Sequence, residues 1–237
     1  MITLVTTYYN EPKHLHKILT NINQKYFKEL VIVDDGSEDS PAYDVAKQYP
    51  DVPLKLFKVK EDLGFNSHGA RNLAMQNVTS EWALLTDIDR AGHNNLSIIL
   101  KRYIDSSFDG EYFNWTTNFD ETTVNDYCIR VEDFWISGGY DEEFVNRHYG
   151  DRIFIDRLNS YLTRTTIPHP VKVTRKARKY IKAEVDITMY PDDETMVAPS
   201  WDLEEKRNLI DSIRHRNDFP ETWKRDNIIQ FEWERLI

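Results

Sequence analysis

Trp82-Ala83-Leu84-Leu85-Thr86-Asp87-Ile88-Asp89 decides how this chain reads: an apolar run closes on two carboxylates one residue apart. Trp82–Leu85 has the length and composition of a buried strand, and a buried strand does not accommodate paired acids. At the strand's C-terminal tip the two acids can instead share one hard divalent cation through oxygen ligands. Alone, such a spacing is weak evidence, since surface loops contain it by chance, and a pair of helix-capping acids is the alternative. The neighbouring stretches tip the balance. Upstream, Val31-Ile32-Val33-Asp34-Asp35-Gly36-Ser37 is a second apolar strand ending in acids, and Leu63-Gly64-Phe65 precedes Ala70-Arg71-Asn72. Downstream stand Gly138-Gly139-Tyr140-Asp141 and Asp151.

Working outward, strands and helices alternate at a regular pace, the signature of a parallel sheet. Strands are expected at Ile2–Thr6, Leu30–Val33, Leu54–Val59 and Trp82–Thr86. Asn10 can cap a first helix with Pro12 in its first turn and Leu15, Ile18, Leu19 and Ile22 as its apolar stripe. A second helix is expected from about Pro41 to Tyr49, and a third buries Ala70, Leu73, Ala74 and Val78. In such sheets ligands bind beyond the carboxyl ends of the strands, where strand order switches. Thr7–Tyr9, Asp34–Ser37 and Asp87–Asp89 all fall at such ends. After Asp89 the rhythm changes: a helix through Leu96, Ile99, Leu100 and Tyr103, an aromatic and polar region from Tyr112 to Tyr149, and another helix near Trp201–Arg216. The tail alternates Ile229, Phe231 and Trp233 with polar residues, as a strand or a clasp over the core would.

The 237 residues suffice for one substantial core, and no break in composition suggests a linker, so a single domain over 1–237 is expected. Its first half would end near 105, with a second half and an extension following. No stretch approaches the roughly 20 apolar residues of a membrane span. Met1 leads directly into the first strand, and the single cysteine excludes an intrachain disulfide framework, so a cytoplasmic location is expected. A net charge of −10 opposes non-specific coating of nucleic acid. The charge is uneven, however: Leu158–Ala183 contains no acid and carries Arg164, Lys172, Arg175, Lys176, Arg178, Lys179 and Lys182.

Thr6-Thr7-Tyr8-Tyr9-Asn10, Val31–Ser37, Ala70-Arg71-Asn72, Thr86–Asp89 and Gly138–Asp141, in this order and spacing, resemble the inverting glycosyltransferases of family 2. The resemblance covers roughly residues 1–160 and implies an α/β GT-A fold, with a mostly parallel Rossmann-like sheet flanked by helices. It further implies a nucleotide-diphosphate sugar donor, a UDP-sugar first among them, and a hydroxyl acceptor. By the same resemblance, Thr7, Tyr9 and Asp35 would hold the base and ribose. Tyr9 offers a stacking face, and the Asp35 carboxylate can accept from a base N–H or a ribose hydroxyl. The alternative for Asp35 is an ordinary polar turn. Arg71 would lie beside the phosphates, which suits a planar, permanently charged fork; a surface ion pair with Glu61 or Asp62 is the alternative. Asp89 and Asp87 match the family's metal motif for Mn²⁺ or Mg²⁺, with Asp89 the direct ligand and Asp87 turned towards the ribose or a metal-bound water.

Asp151 falls on the family's general-base aspartate if Arg157-Leu158 is the anchor that follows it, and Gly150 then stands where the family carries glutamate. Asp156 competes, but in a helix it lies roughly 500° further round. His169, in Ile167-Pro168-His169-Pro170, is a further candidate metal ligand, and His148 a second. The basic segment 164–182 reads as a solvated face, a closure over the diphosphate, or a platform for an anionic acceptor such as a hydroxymethylated DNA base. Two other classes stay open. A sugar nucleotidyltransferase would carry a glycine-rich loop after the first strand, where this chain reads Thr6–Pro12 without glycine. A non-catalytic sugar-nucleotide or glycan-binding protein would bind without turnover.

Overall fold

The computed structural model describes residues 1–22, 27–90, 96–117, 122–145, 150–171 and 228–237, and these belong to one compact unit. β1 (Ile2–Tyr8), α1 (Pro12–Asn21), β2 (Phe27–Asp34), α2 (Ala42–Ala46), β3 (Leu54–Val59), α3 (Ser67–Gln76) and β4 (Trp82–Leu85) follow the expected alternation. Then come α4 (Leu96–Ile104), β5 (Glu111–Thr117), β6 (Thr122–Arg130), α5 (Val131–Ile136), a 3₁₀ turn at Glu142–Phe144, α6 (Gly150–Tyr161), β7 (Thr163–Val171) and β8 (Trp233–Arg235). Among the described residues, all eight strands join one sheet in the order β7-β5-β6-β4-β1-β2-β3-β8. The fold is mixed α/β, a central sheet flanked by helices.

β1, β2, β3 and β4 are mutually parallel. Their apolar runs are buried on both faces, as strands covered by helices must be: Leu30 to Val33 are all fully inaccessible. The chain builds β1, β2 and β3 outward, then returns to lay β4 on the other side of β1. That reversal is a switch in strand order at the carboxyl ends of β1 and β4, and parallel sheets bind ligands in the crevice at such a point.

The aromatic and polar region from Tyr112 onward, for which the sequence marked no strands, extends the sheet. β6 runs antiparallel to β4 and to β5, and β7 lies parallel to β5 at the edge. Tyr112, Phe113 and Trp115 are buried in succession on both faces, so no period-two alternation marks β5. β7 tolerates Pro168 and Pro170 because an edge strand needs only half its N–H groups. Two smaller expectations are also corrected. α2 ends at Ala46 rather than Tyr49. Asn10 does not cap α1: Glu11 holds that position, while Asn10, at φ 50°, accepts from the Ser40 N–H at 2.9 Å.

α3 is buried on nearly all sides, from His68 to Met75, instead of on one face. One side packs on β1 and β2. The C-terminal residues and the Gly-Gly turn cover the rest: Ile229 and Phe231 pack on the core beside α3, and β8 pairs antiparallel with β3. Asn72 of α3 donates to the Tyr140 carbonyl (3.0 Å) and to Glu142 Oε1 (2.8 Å) and accepts from the Tyr140 N–H (2.9 Å). Glu142 accepts in turn from the Ile229 N–H at 2.9 Å. The tail is therefore both strand and clasp.

α6 is anchored by Arg157, whose guanidinium is buried and donates to the Gly139 carbonyl and to Asp141 Oδ2. Removing one partner of a buried pair strands the other charge in a dry interior. Arg157→Met should therefore cost about 3–5 kcal/mol, measured by urea unfolding. Adding Asp141→Asn should recover part of that loss.

Candidate active site

Four elements converge on the crevice. β1 ends in Thr7, Tyr8 and Tyr9, and the Asp35 N–H at the end of β2 donates to the Tyr8 carbonyl at 2.9 Å. The two acids after Val33 divide their work. Asp34 is structural: its oxygens accept from the Ser37 and Ala42 N–H groups at 2.9 and 2.7 Å, holding the turn and the start of α2. Asp35 faces the other way and accepts at Oδ2 from the Asn66 N–H at 3.0 Å. Its Oδ1 is buried with no hydrogen-bond partner among the described residues, and the Asn66 side-chain amide lies beside it in the same condition. Burial pushes the Asp35 carboxyl up to about 7, with the Asn66 contacts only partly offsetting it and Asp34 and Asp62 adding to it. Buried polar groups are ordinarily paired, so Asp35 and Asn66 keep capacity for further hydrogen bonds at this strand end. Tyr9, 38% exposed, forms the adjoining rim, its hydroxyl donating to Asp62 Oδ2 at 2.7 Å.

Arg71 leaves the first turns of α3 and is buried. It donates to Asp87 Oδ1 at 2.6 Å and to Asn125 Oδ1 at 3.2 Å, and its guanidinium lies 5.5 Å from the centre of the Tyr140 ring. The surface pairing with Glu61 or Asp62 is thereby excluded. Burial works against its charge, but Tyr140, Asp87, Tyr127 and Asp151 outweigh it and hold the group above its ordinary range. Beneath it, the hydroxyls of Tyr127 and Tyr140 share a hydrogen bond of 2.8 Å.

Asp87 and Asp89 follow β4. Asp87 is enclosed by cations and an amide: Arg71 on Oδ1, with Arg90 Nη2 at 3.1 Å and Asn125 Nδ2 at 3.3 Å on Oδ2. Asp89 stands outside this enclosure, its side chain 36% exposed and its Oδ1 4.0 Å from Arg90 Nε. Arg90 also reaches Asp126 Oδ2 at 2.7 Å, and Thr86 Oγ1 donates to Asp126 Oδ1 at 2.7 Å. Arg90, Asn125 and Asp126 were not singled out in the sequence. Asn125 and Asp126 lie midway along β6, just before the stretch that pairs with β4, and only that antiparallel pairing brings them to the tip where Asp87 stands.

Asp151 sits in the first turn of α6, and its charge reaches Arg71 and Tyr140. Asp156 is turned away and pairs with Arg152 at 3.3 Å. Gly150 explains its own departure from the expected glutamate. A Cβ there would stand 2.9 Å from His68 Nε2 and 2.9 Å from Phe144 Cγ, so the room for a side chain is already filled. His148 and the segment from Lys172 to 182 lie outside the described residues. His169 belongs to β7, with its side chain likewise outside them. Among the described residues no group of three or more His, Cys, Asp or Glu could hold a metal, and no helix is long and apolar enough to cross a membrane.

Residues 3–165 match the sequence profile of Glycosyl transferase family 2. The chain belongs to that family. Two sequence relatives share 33% identity over 88 residues: the SPbeta prophage-derived glycosyltransferase SunS of Bacillus subtilis (strain 168) and glycosyltransferase SunS of Bacillus phage SPbeta. Each match spans 37% of this chain and only 20% of the relative. Among solved structures, S. aureus TarS 1-349 in complex with UDP-GlcNAc superposes with a TM-score of 0.65 at 15% identity, over 90% of this chain and 66% of that one. A mannosyltransferase, PcManGT from Pyrobaculum calidifontis, in complex with GDP-Man and Mn²⁺, gives 0.61 at 18% identity, over 76% and 58%. These likenesses establish the shared GT-A-type fold.

Overpacking a closed site forces its neighbours apart. Gly150→Ala should therefore destabilise this family member by about 1–3 kcal/mol, read as a lower thermal midpoint. His68→Ala in the same chain should relieve only part of that penalty, because the contact with Phe144 remains.

Proposed function

We propose that this chain is a metal-dependent, inverting glycosyltransferase that moves a sugar from a UDP-sugar to a hydroxyl acceptor. The observation that supports it best is the convergence of Asp35, Arg71, Asp87 and Asp89 on one crevice at the ends of β1, β2 and β4, with Asp151 in electrostatic reach of Arg71.

Asp35 receives the base. Its unpartnered oxygen and the adjoining Asn66 amide suit an imide N–H beside a carbonyl, the edge that uracil presents. Thr7 lines the same strand end, and Tyr9 supplies the stacking face. Arg71 directs its positive charge at the diphosphate, its orientation set by Asp87, Asn125 and the Tyr140 ring. Asp151 takes the acceptor hydroxyl's proton as that oxygen attacks the anomeric carbon opposite the leaving diphosphate. One displacement inverts the centre, so no covalent nucleophile is needed.

The acids fit a hard cation of modest protein ligation. Asp87 is already neutralised, Asp89 is the more accessible carboxylate, and Mn²⁺ or Mg²⁺ ordinarily completes such a site with phosphate oxygens and water. Asp89 would hold the ion, with Asp87 behind it. When bound, the ion supplies positive charge to the departing diphosphate.

Two experiments test this reading. Nucleoside-diphosphate release from a panel of sugar nucleotides, followed with Mn²⁺ or with chelator, should single out a UDP-sugar. Asp151→Asn should then slow transfer about 10²–10⁴-fold with little change in donor KM. Turnover that survives in this variant places the base elsewhere. The second is pH dependence. A base N–H needs the Asp35 carboxylate, whose proton stays on up to about 7, so UDP binding should weaken by up to about tenfold per pH unit below that value. Asp35→Asn should flatten the profile. The same shift has a signature in folding. The unfolded carboxyl ionises near 3.8 and the native one near 7, so the native state binds more protons between them. The free protein's stability should fall as pH rises through that window.

A further inference from the structure

Among the described residues, Arg90 is the one strongly held cation at the acid pair that the proposed chemistry does not use. It meets three carboxylates at once: Asp126 at 2.7 Å, Asp87 at 3.1 Å and Asp89 at 4.0 Å. Its side chain is only 14% exposed, and its Nε is buried with no hydrogen-bond partner among the described residues. That Nε is the atom facing Asp89. The separation is too long for a hydrogen bond and well inside the range where opposite charges attract. Arg71 adds a second guanidinium on the far oxygen of Asp87. Among the described residues, three acids are thus opposed by two permanent cations, and a divalent ion approaching Asp89 meets carboxylates already held by cations.

We propose that Arg90 is the resident counter-cation of the Asp87–Asp89 pair and competes with the divalent ion for it. The free chain then takes the ion weakly, and the ion binds firmly only together with a nucleoside diphosphate, whose charge tips the balance. This rests on the reading of Asp89 as the ion's ligand. Asp126, buried and bonded to Thr86, is the positioning residue: it draws the guanidinium inward and limits how much of its charge falls on Asp89.

Mn²⁺ binding to the full chain, followed by the electron paramagnetic resonance signal of the free ion, tests this without reference to turnover. Wild type should bind Mn²⁺ weakly alone and at least tenfold more tightly with UDP. Arg90→Gln should bind Mn²⁺ alone about tenfold or more tightly than wild type, and Arg90→Lys, which keeps the charge, should stay near wild type. Asp126→Asn should move the other way and weaken binding. A merely structural Arg90 would make Arg90→Gln and Asp126→Asn weaken binding alike, and that result overturns the proposal. So does an Arg90→Lys as tight as Arg90→Gln. Wild type that fails to bind Mn²⁺ even with UDP overturns the metal reading of Asp89 and this proposal with it, whereas tight binding with UDP and an unshifted Arg90→Gln overturns this proposal alone.

Discussion

A buried guanidinium sets the terms for the rest of the molecule. Arg71 can be taken out of water only because Asp87 meets it at 2.6 Å, Asn125 accepts a second bond and the Tyr140 ring lies beneath it. Those partners come from the tip of β4, the middle of β6 and the Gly-Gly turn. Placing one cation therefore fixes the relative position of three segments far apart in sequence. Asn72, the next residue on α3, repeats the logic with neutral bonds to Tyr140 and Glu142. Gly139 is part of the same constraint: at φ 65°, a Cβ there would sit 2.8 Å from Asn72 Oδ1.

The C-terminal residues complete the clamp on α3. Phe231 approaches so closely that a Cβ on Gly69 would lie 2.7 Å from its ring. Ile229 is tied through its N–H to Glu142, and β8 pairs with β3. A helix buried on nearly every side has little freedom to rotate, and Arg71 inherits that rigidity. Preorganised charge of this kind needs no rearrangement when a charged ligand arrives. Electrostatic economy shows in the same region. Asp87 is shared between two arginines and an amide, Asp126 is held by Arg90 and Thr86, and Asp35 keeps an oxygen unmatched in a setting that raises its proton affinity.

The relation between sequence and structure differs from element to element. The parallel half was legible because each strand is a short apolar run and each helix a 3.6-residue stripe. The acids at the strand ends stood out because carboxylates do not end buried strands by accident. β5 and β7 were not legible, since Tyr112, Phe113 and Trp115 are buried on both faces and erase alternation, and prolines in Ile167-Pro168-His169-Pro170 disguise an edge strand. Gly150 read as a defect in a motif. With His68 and Phe144 filling the space beside it, it is the residue that the packing requires.

By itself, then, the sequence determined the α/β class, the parallel core, membership in the glycosyltransferase pattern and the identity of the residues at the strand tips, because these depend on local periodicity and on short spacings. Only the tertiary structure decided that Asp34 ties the turn to α2, that Arg71 is buried against Asp87, that Arg90 bridges three carboxylates, and that the tail closes over α3. Those outcomes depend on long-range pairing. β6 must lie antiparallel to β4 before Asn125 and Asp126 can meet Asp87 and Arg90, and no local pattern encodes which strands will be neighbours.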